Sequence, residues 1–171
     1  MNTVIENILS RRSIRKFNDE PVTKEELLIL GECAVHAPSA MCRDTWKFVI
    51  INNEELIREL ITIMQSLLNK PAYNMYNPKA VIIGANRKDN SRGVEDNACA
   101  LENIFLAAHS MNIGTVWINQ VRDFMDDEVL RAYLNKIGID EEMNVYGVVS
   151  LGHYDEKPVD KPRNGIYTYI E

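Results

Sequence analysis

The stretch VEDNACALENIFLAAHSMNIGTVWI, residues 94–118, decides the fold. Apolar side chains recur through its first part at spacings of three and four, which predicts a central buried helix over 94–111. Asn112 then suits a left-handed helix cap, and Gly114 frees the backbone just before a β-branched run. A helix that leads directly into a strand indicates that the two kinds of element alternate in this chain.

The rest of the chain carries similar signals. A capping box at Thr23 and Glu26 predicts the start of one helix. Another box, at Thr3 and Glu6, predicts helix one, which should run to about Ser10. The remaining expected elements are strands near 47–52, 80–85, 115–119 and 145–151, a helix through Leu56, Leu60 and Met64, and a last helix near 126–137.

Composition and charge restrict the function. At 171 residues, 46% of them hydrophobic, the chain suits one globular domain over 1–171. A net charge of −6 disfavours nucleic acid, and the basic cluster at 11–16 is about the size that one phosphate group needs. No apolar run approaches the roughly 20 residues of a membrane span, and Glu6 stands where a signal peptide would be apolar. We therefore expect a cytoplasmic protein.

The cysteines and histidines suggest neither a disulfide framework nor a metal site. The 3 cysteines are odd in number and share no CxxC spacing, so free thiols are expected. The 3 histidines stand far apart in the sequence.

Arg11-Arg12-Ser13-Ile14-Arg15 is the densest candidate site. It follows the end of helix one, where two or three guanidinium groups and a hydroxyl can converge on one anion, and a phosphate is the natural ligand. The alternative is that these arginines only favour a helix C-terminus, where a cation gains a few tenths to about 1 kcal/mol.

Three shorter segments are candidates only in combination. Pro38-Ser39-Ala40 is a turn of small residues that could admit a planar ring, or a routine helix stop. Gly114-Thr115 could bring a backbone amide against a ligand, although a lone glycine turn is a weak signal. Lys161-Pro162-Arg163 places two cations in an extended tail that could reach a charge held elsewhere or be a solvated terminus.

In this order and at these separations, the four segments resemble the nitroreductase family of FMN-dependent oxidoreductases. The resemblance runs from about Glu6 to Arg163. Its specific parts are RRSIRKF at 11–17, APSA at 37–40 with Trp46 and Phe48 after it, GTVW at 114–117, and KPR at 161–163.

The resemblance implies a fold and an assembly. The fold is an α+β three-layer sandwich in which a mixed, mostly antiparallel sheet is covered by helices. The assembly is an intertwined homodimer, and the extended C-terminal tail, about 153–171, would be exchanged with the partner subunit.

The resemblance also assigns roles to the basic residues. Arg11, Ser13 and Arg15 would hold the FMN phosphate and ribityl chain, and Arg12 would contribute mainly through its backbone. Lys161 and Arg163 would lie near the phosphate.

The remaining assignments concern the flavin ring. Pro38, Ser39 and Ala40 would come from the partner subunit and lie along the flavin, while a backbone amide at Gly114 and Thr115 would face its N5 atom. The sequence departs from the family where Asn, Gln and Pro often continue the serine turn. Those places hold Cys42, Asp44 and Thr45.

The implied activity is a ping-pong reaction in which NAD(P)H reduces FMN and an organic acceptor, such as a nitro compound or a quinone, takes the electrons. The flavin carries this chemistry, so no side chain is assigned as catalytic. One alternative is a flavin-binding protein with another role, in storage, regulation or a different flavin-dependent reaction such as dehalogenation. The other is a plain α/β interaction domain with no cofactor.

Overall fold

The structure is a computed structural model that describes residues 2–156, 159 and 162–171. Its elements are α1 Thr3–Ser10, α2 Lys24–Val35, β1 Trp46–Ile51, α3 Glu54–Leu68, β2 Ala80–Arg87, α4 Gly93–Ser110, β3 Ile113–Ile118, α5 Glu128–Lys136 and β4 Met143–His153. Short 3-10 helices occupy Ala40–Cys42 and Gln120–Phe124. The predicted order of helices and strands is confirmed, although β2 continues two residues beyond the strand expected near 80–85.

The four strands form one sheet in the order β1-β2-β4-β3. Every pairing among the described strands is antiparallel, so the expected mixed sheet has no parallel pair within this part of the chain. The connection after β1 explains why β2 runs antiparallel to β1. The segment at 69–79 returns the chain from the end of α3 to the end of β1, where Val81 pairs with Ile51.

Helices cover both faces of the sheet, which confirms the three layers. One core cluster joins α2 and α4 to side chains such as Ile82 and Val149. The other joins α3 and α5 to their neighbours on the opposite face, such as Val81 and Val148. Alternate residues of a strand point to opposite faces, and β2 therefore contributes to both clusters.

The predicted burial of α4 is confirmed from Leu101 onward, but its first turn is buried through polar side chains and not through Val94. Val94 is 40% exposed, whereas the neighbouring Asp96 and Asn97 are almost fully buried. The buried face of the helix is therefore polar in the first turn and becomes apolar from Ala100 onward.

One predicted capping box is confirmed and the other is wrong. Thr23 and Glu26 exchange the expected side-chain to backbone hydrogen bonds at the start of α2. At the start of α1 the cap is Asn2, whose side-chain oxygen accepts from the backbone of Val4 at 2.8 Å. Asparagine is at least as good a cap as threonine, so the helix begins one residue earlier than the box would place it.

The arginine-containing segment lies along the outer edge of β3. Ile14 donates its backbone N–H to the carbonyl of Thr115 at 2.9 Å. Its side chain packs directly on Gly114, where an added Cβ would come within 2.8 Å of it. Phe17 covers Gly152 in the same way. Because Gly114 and Gly152 are paired across β3 and β4, the two glycines form a floor for this segment.

Both ends of the chain expose apolar side chains. No residue of α1 is buried, and residues 162–171 form neither helix nor strand. The exposed fraction lies between 48% and 94% for these eight: Val4, Ile5, Ile8, Leu9, Ile166, Tyr167, Tyr169 and Ile170. Among the described residues, none of the helices combines the length and hydropathy that crossing a bilayer requires. All three cysteines are free thiols.

The capping box should make the free energy of unfolding depend on pH in the acid range. Burial tends to raise the pKa of Glu26, but the hydrogen bonds from Thr23 and the nearby His153 outweigh it and hold the pKa below the ordinary 4.5. A carboxyl with a lowered folded pKa stabilises the fold above its ordinary pKa, and this contribution is lost as pH falls. Urea unfolding between pH 6 and about 3 should therefore show a shallower loss of stability in Glu26→Gln than in the wild type. Glu25→Gln, on the same turn, is the control, and equal slopes in all three proteins would contradict the prediction.

Candidate functional site

Arg11 lies at the end of α1 and reaches across to α4. Its guanidinium stands 5.9 Å from the centre of the Phe105 ring and 3.6 Å from a carboxylate oxygen of Glu102. The Arg11 side chain is 21% exposed and that of Glu102 is 49% exposed, so this ion pair is open to solvent. Exposed pairs at this distance hold a guanidinium weakly, which leaves Arg11 able to bind a stronger anion.

Arg12 points back toward the helix it follows. Its guanidinium donates to the carbonyl oxygens of Leu9 at 2.7 Å and of Arg11 at 2.8 Å. These are carbonyl groups that the helix end leaves without intrahelical partners. The side chain of Arg12 thus matches the helix-terminus alternative.

Arg15 is exposed, and its guanidinium stands 5.8 Å from the centre of the Tyr76 ring. Tyr76 belongs to the segment between α3 and β2, whereas the ring beside Arg11 belongs to α4 on the other face of the sheet. The expected convergence of these guanidinium groups on a single point is therefore absent. Arg11 and Arg15 instead stand over rings from opposite layers, on either side of the β3 edge.

Ser13 lies between the two arginines and is partly buried. Its hydroxyl makes no hydrogen bond to any of the described residues. A hydroxyl in this position is available to donate to a ligand.

The turn at Pro38, Ser39 and Ala40 is fixed from within the chain. The hydroxyl of Ser39 donates to a carboxylate oxygen of Asp44 at 2.6 Å and accepts from the backbone N–H of Asp44 at 3.2 Å. The backbone N–H of Ala40 donates to the buried carboxylate of Asp96 at 2.9 Å. Ser39 therefore has its hydroxyl proton committed to Asp44, and Pro38 presents an exposed ring.

A buried polar network supports this turn from below. Asn90 donates to the second carboxylate oxygen of Asp96 and to the hydroxyl of Thr45, both at 2.9 Å. Thr45 in turn donates to Asn86, and Asn86 donates to Asn97 at 3.1 Å. Thr45, one of the departures from the family pattern, thus anchors the turn to β2 and α4. No sequence pattern indicates this network, because its members are dispersed asparagines, an aspartate and a threonine.

Gly114 and the carbonyl of Thr115 have partners within the chain. Gly114 pairs with Gly152 inside the sheet and is covered by the Ile14 side chain. Thr115 is 3% exposed, and its carbonyl accepts from Ile14. The close approach that requires a glycine here is that of Ile14, so packing within the chain accounts for Gly114.

Of the two cations proposed in the tail, only Arg163 lies within the described residues. Lys161 lies outside the described residues. Arg163 is exposed, and no hydrogen bond or ion pair links it to another described residue.

A cleft of about 460 Å³ opens beside Trp117, which is 38% exposed. Trp117 contacts Phe105, with 5.9 Å between ring centres, so the cleft begins next to the ring that lies beneath Arg11. The other lining residues are Val94, Ala98, Asn119, Arg122 and Tyr146. In the sequence, Trp117 stands out only as part of the GTVW motif. Its alternation with the buried Val116 and Ile118 could have indicated an exposed aromatic at the strand end.

Comparison with known proteins gives consistent results. The family model described as "Nitroreductase family" matches residues 8–153. A protein of Archaeoglobus fulgidus named "Putative NADH dehydrogenase/NAD(P)H nitroreductase" is 32% identical over 165 residues, covering 92% of this chain and 89% of that protein. The "NADPH-flavin oxidoreductase" of Vibrio harveyi is 30% identical, covering 95% of this chain and 70% of its own length.

Solved structures show the same similarity at the level of the fold. The crystal structure of a nitroreductase with bound FMN from Bacteroides fragilis has a TM-score of 0.91 and 32% identity, and the match covers 100% of both chains. The whole three-layer arrangement, including the sequence order of its elements, is therefore shared with that protein.

Proposed function

The chain belongs to the nitroreductase family, and from this premise we propose that it is a cytoplasmic, single-domain, FMN-dependent oxidoreductase that takes hydride from NAD(P)H and reduces an organic acceptor. Nitro compounds and quinones are the acceptor classes we favour. FMN-bound relatives and relatives named for NAD(P)H support the cofactor and the electron donor.

The observation that carries this proposal is the arrangement along the edge of β3. Arg11 and Arg15 flank the segment, and the hydroxyl of Ser13, which has no partner among the described residues, lies between them. Two cations and a hydroxyl match an elongated ligand with a phosphate at one end and several acceptor oxygens. The residues present therefore fit FMN, and their spread on either side of the edge favours contacts with different parts of the cofactor.

When bound, FMN supplies the two-electron redox chemistry, alternating between the electron donor and the acceptor. The chain contributes binding, orientation and electrostatics. Arg11 and Arg15 provide fixed positive charge, which favours a bound group that gains negative charge during reduction. Ser13 can donate a hydrogen bond to the same ligand. The cleft beside Trp117 offers an aromatic surface next to Arg11 for a planar ring.

We further propose that the site is shared between two subunits of a homodimer. The turn at 38–40 would lie along the partner's flavin, contributing the ring of Pro38 and the backbone of Ser39 and Ala40, because the Ser39 hydroxyl already donates to Asp44. The exposed apolar face of α1 supports the dimer. Burying apolar surface stabilises an interface by about 25 cal/mol per Å², and α1 buries none of its residues within its own chain.

The C-terminal tail is the segment we propose to be exchanged. Ile14 hydrogen-bonds to β3 at one edge of the sheet, whereas no described strand pairs with the outer edge of β1. A cleft of about 300 Å³ runs along β1 between Val49 and Asn53. A partner's tail added to this edge would bury Tyr167, Tyr169 and their neighbours and satisfy the backbone of β1. It would also bring Lys161 and Arg163 to the partner's flavin.

The proposed activity predicts a simple spectroscopic result. The purified protein should show flavin absorbance, and anaerobic addition of NADH or NADPH should bleach it within the turnover time. A nitro compound or quinone added next should restore the absorbance. A colourless protein that does not take up added FMN would contradict the proposal, and a flavin that neither nucleotide reduces would favour a storage or regulatory role.

Removing either flanking arginine should weaken FMN binding. A hydrogen bond to a charged group is worth about 1.5–3 kcal/mol, or roughly ten- to a hundredfold in affinity. Arg11→Ala and Arg15→Ala should each raise the Kd for FMN by that factor in a titration of flavin fluorescence. Arg58→Ala, an exposed arginine of α3, is the control and should bind as the wild type does. Unchanged flavin occupancy in the double variant after dialysis would rule out this assignment.

Truncation after Glu156 should remove both dimerisation and FMN binding. This cut leaves β4 intact and deletes the exposed apolar tail. Arg163→Ala, which keeps the apolar residues, should remain a dimer while binding FMN more weakly. Sedimentation of the truncated protein as a flavin-loaded dimer would show that the tail is not exchanged.

A further inference from the structure

The segment between α3 and β2 contains an unusual run of backbone angles. Three consecutive residues other than glycine, Met75, Tyr76 and Asn77, have φ of 50°, 65° and 52°. Side chains with a Cβ atom disfavour this left-handed region. Such residues persist only where their surroundings determine them, and they are frequent at ligand sites.

The rest of the chain holds this turn in place. Met75 is 1% exposed and packs into the core cluster that includes α3 and α5. Asn74 braces the turn twice, since its side-chain oxygen accepts from the backbone N–H of Tyr76 at 3.0 Å and its carbonyl accepts from Asn77 at 2.8 Å. The buried Met75 and the braced Asn74 together fix where the Tyr76 side chain leaves the surface.

The turn exposes the side chain of Tyr76. Its side chain is 39% exposed, and its ring stands beneath the guanidinium of Arg15. Arg15 makes no hydrogen bond or ion pair with any described residue, so the ring is its described contact. The hydroxyl of Tyr76 has no hydrogen bond to the described residues either, which leaves the ring face as the feature that acts on Arg15.

We propose that Tyr76 is a positioning residue that holds Arg15 in the orientation that binds the cofactor. The inference rests on the proposed function, because Arg15 is one of the two arginines assigned to FMN. A free arginine loses rotamer freedom when it binds a ligand, whereas an arginine stacked on a ring has lost part of it beforehand. The strained turn thus holds the cationic side chain of Arg15 in place before the ligand binds.

The test is a set of FMN titrations, read as quenching of flavin fluorescence so that no turnover is needed. A cation–π contact at an exposed site corresponds to about a two- to fivefold effect on affinity. Tyr76→Leu should raise the Kd for FMN by that factor, and Tyr76→Phe, which keeps the ring, should restore it to within about twofold of the wild type. In the Arg15→Ala background, Tyr76→Leu should cause no further change.

Other outcomes would overturn the inference in distinguishable ways. Equal weakening by Phe and Leu would assign the effect to the hydroxyl, and weakening by Leu without Arg15 would assign it to direct contact between the ring and the ligand. An unchanged Kd in Tyr76→Leu would remove any role for the residue. Thermal unfolding of each variant checks that the turn still folds. Failure of the wild type to bind FMN would instead contradict the proposed function.

Discussion

The arrangement of the candidate site depends on one attachment, that of residues 14–17 to the edge of the sheet. The hydrogen bond from Ile14 to Thr115 and the contact of Ile14 with Gly114 fix the direction of the chain after α1 and its distance from the sheet. A side chain at position 114 would push Ile14 away from the strand. Because Arg11 and Arg15 lie on either side of Ile14, this attachment places one guanidinium on the α4 side of the sheet and the other on the α3 side.

The fold was largely predictable from the sequence, and its exceptions have local causes. The strand cores and α4 follow from apolar periodicity, and the Thr23–Glu26 box was found because its signal is confined to four neighbouring residues. The Thr3–Glu6 box failed because Asn2, a competing cap, stands directly before it. The polar first turn of α4 was not predicted, since the hydrogen-bond partners of Asp96 and Asn97 there are Ala40, Asn86 and Asn90, which lie outside this helix.

The candidate site was predictable as a set of segments but not as a geometry. The arginine segment was identified by its composition, whereas the divergence of Arg11 and Arg15 depends on Phe105 and Tyr76, which lie on different elements far along the chain. The same reason applies to Ser39, whose hydroxyl is taken by Asp44 within one turn that contains three left-handed residues, at 41, 42 and 44. Hydrophobic periodicity does not predict such contacts, because the two residues that each contact joins do not belong to one repeating pattern.

The outer edge of β1, with which no described strand pairs, has a consequence for the synthesis of the protein. β1 lies in the first third of the chain, before most of the other strands and helices. A nascent chain therefore presents this edge from an early stage of its synthesis, and an open strand edge is a template for pairing with any other extended chain. Within one polysome, neighbouring copies present the same edge at high local concentration. Shielding of this edge during synthesis, for example by a chaperone, would therefore limit wrong pairing between neighbouring nascent chains.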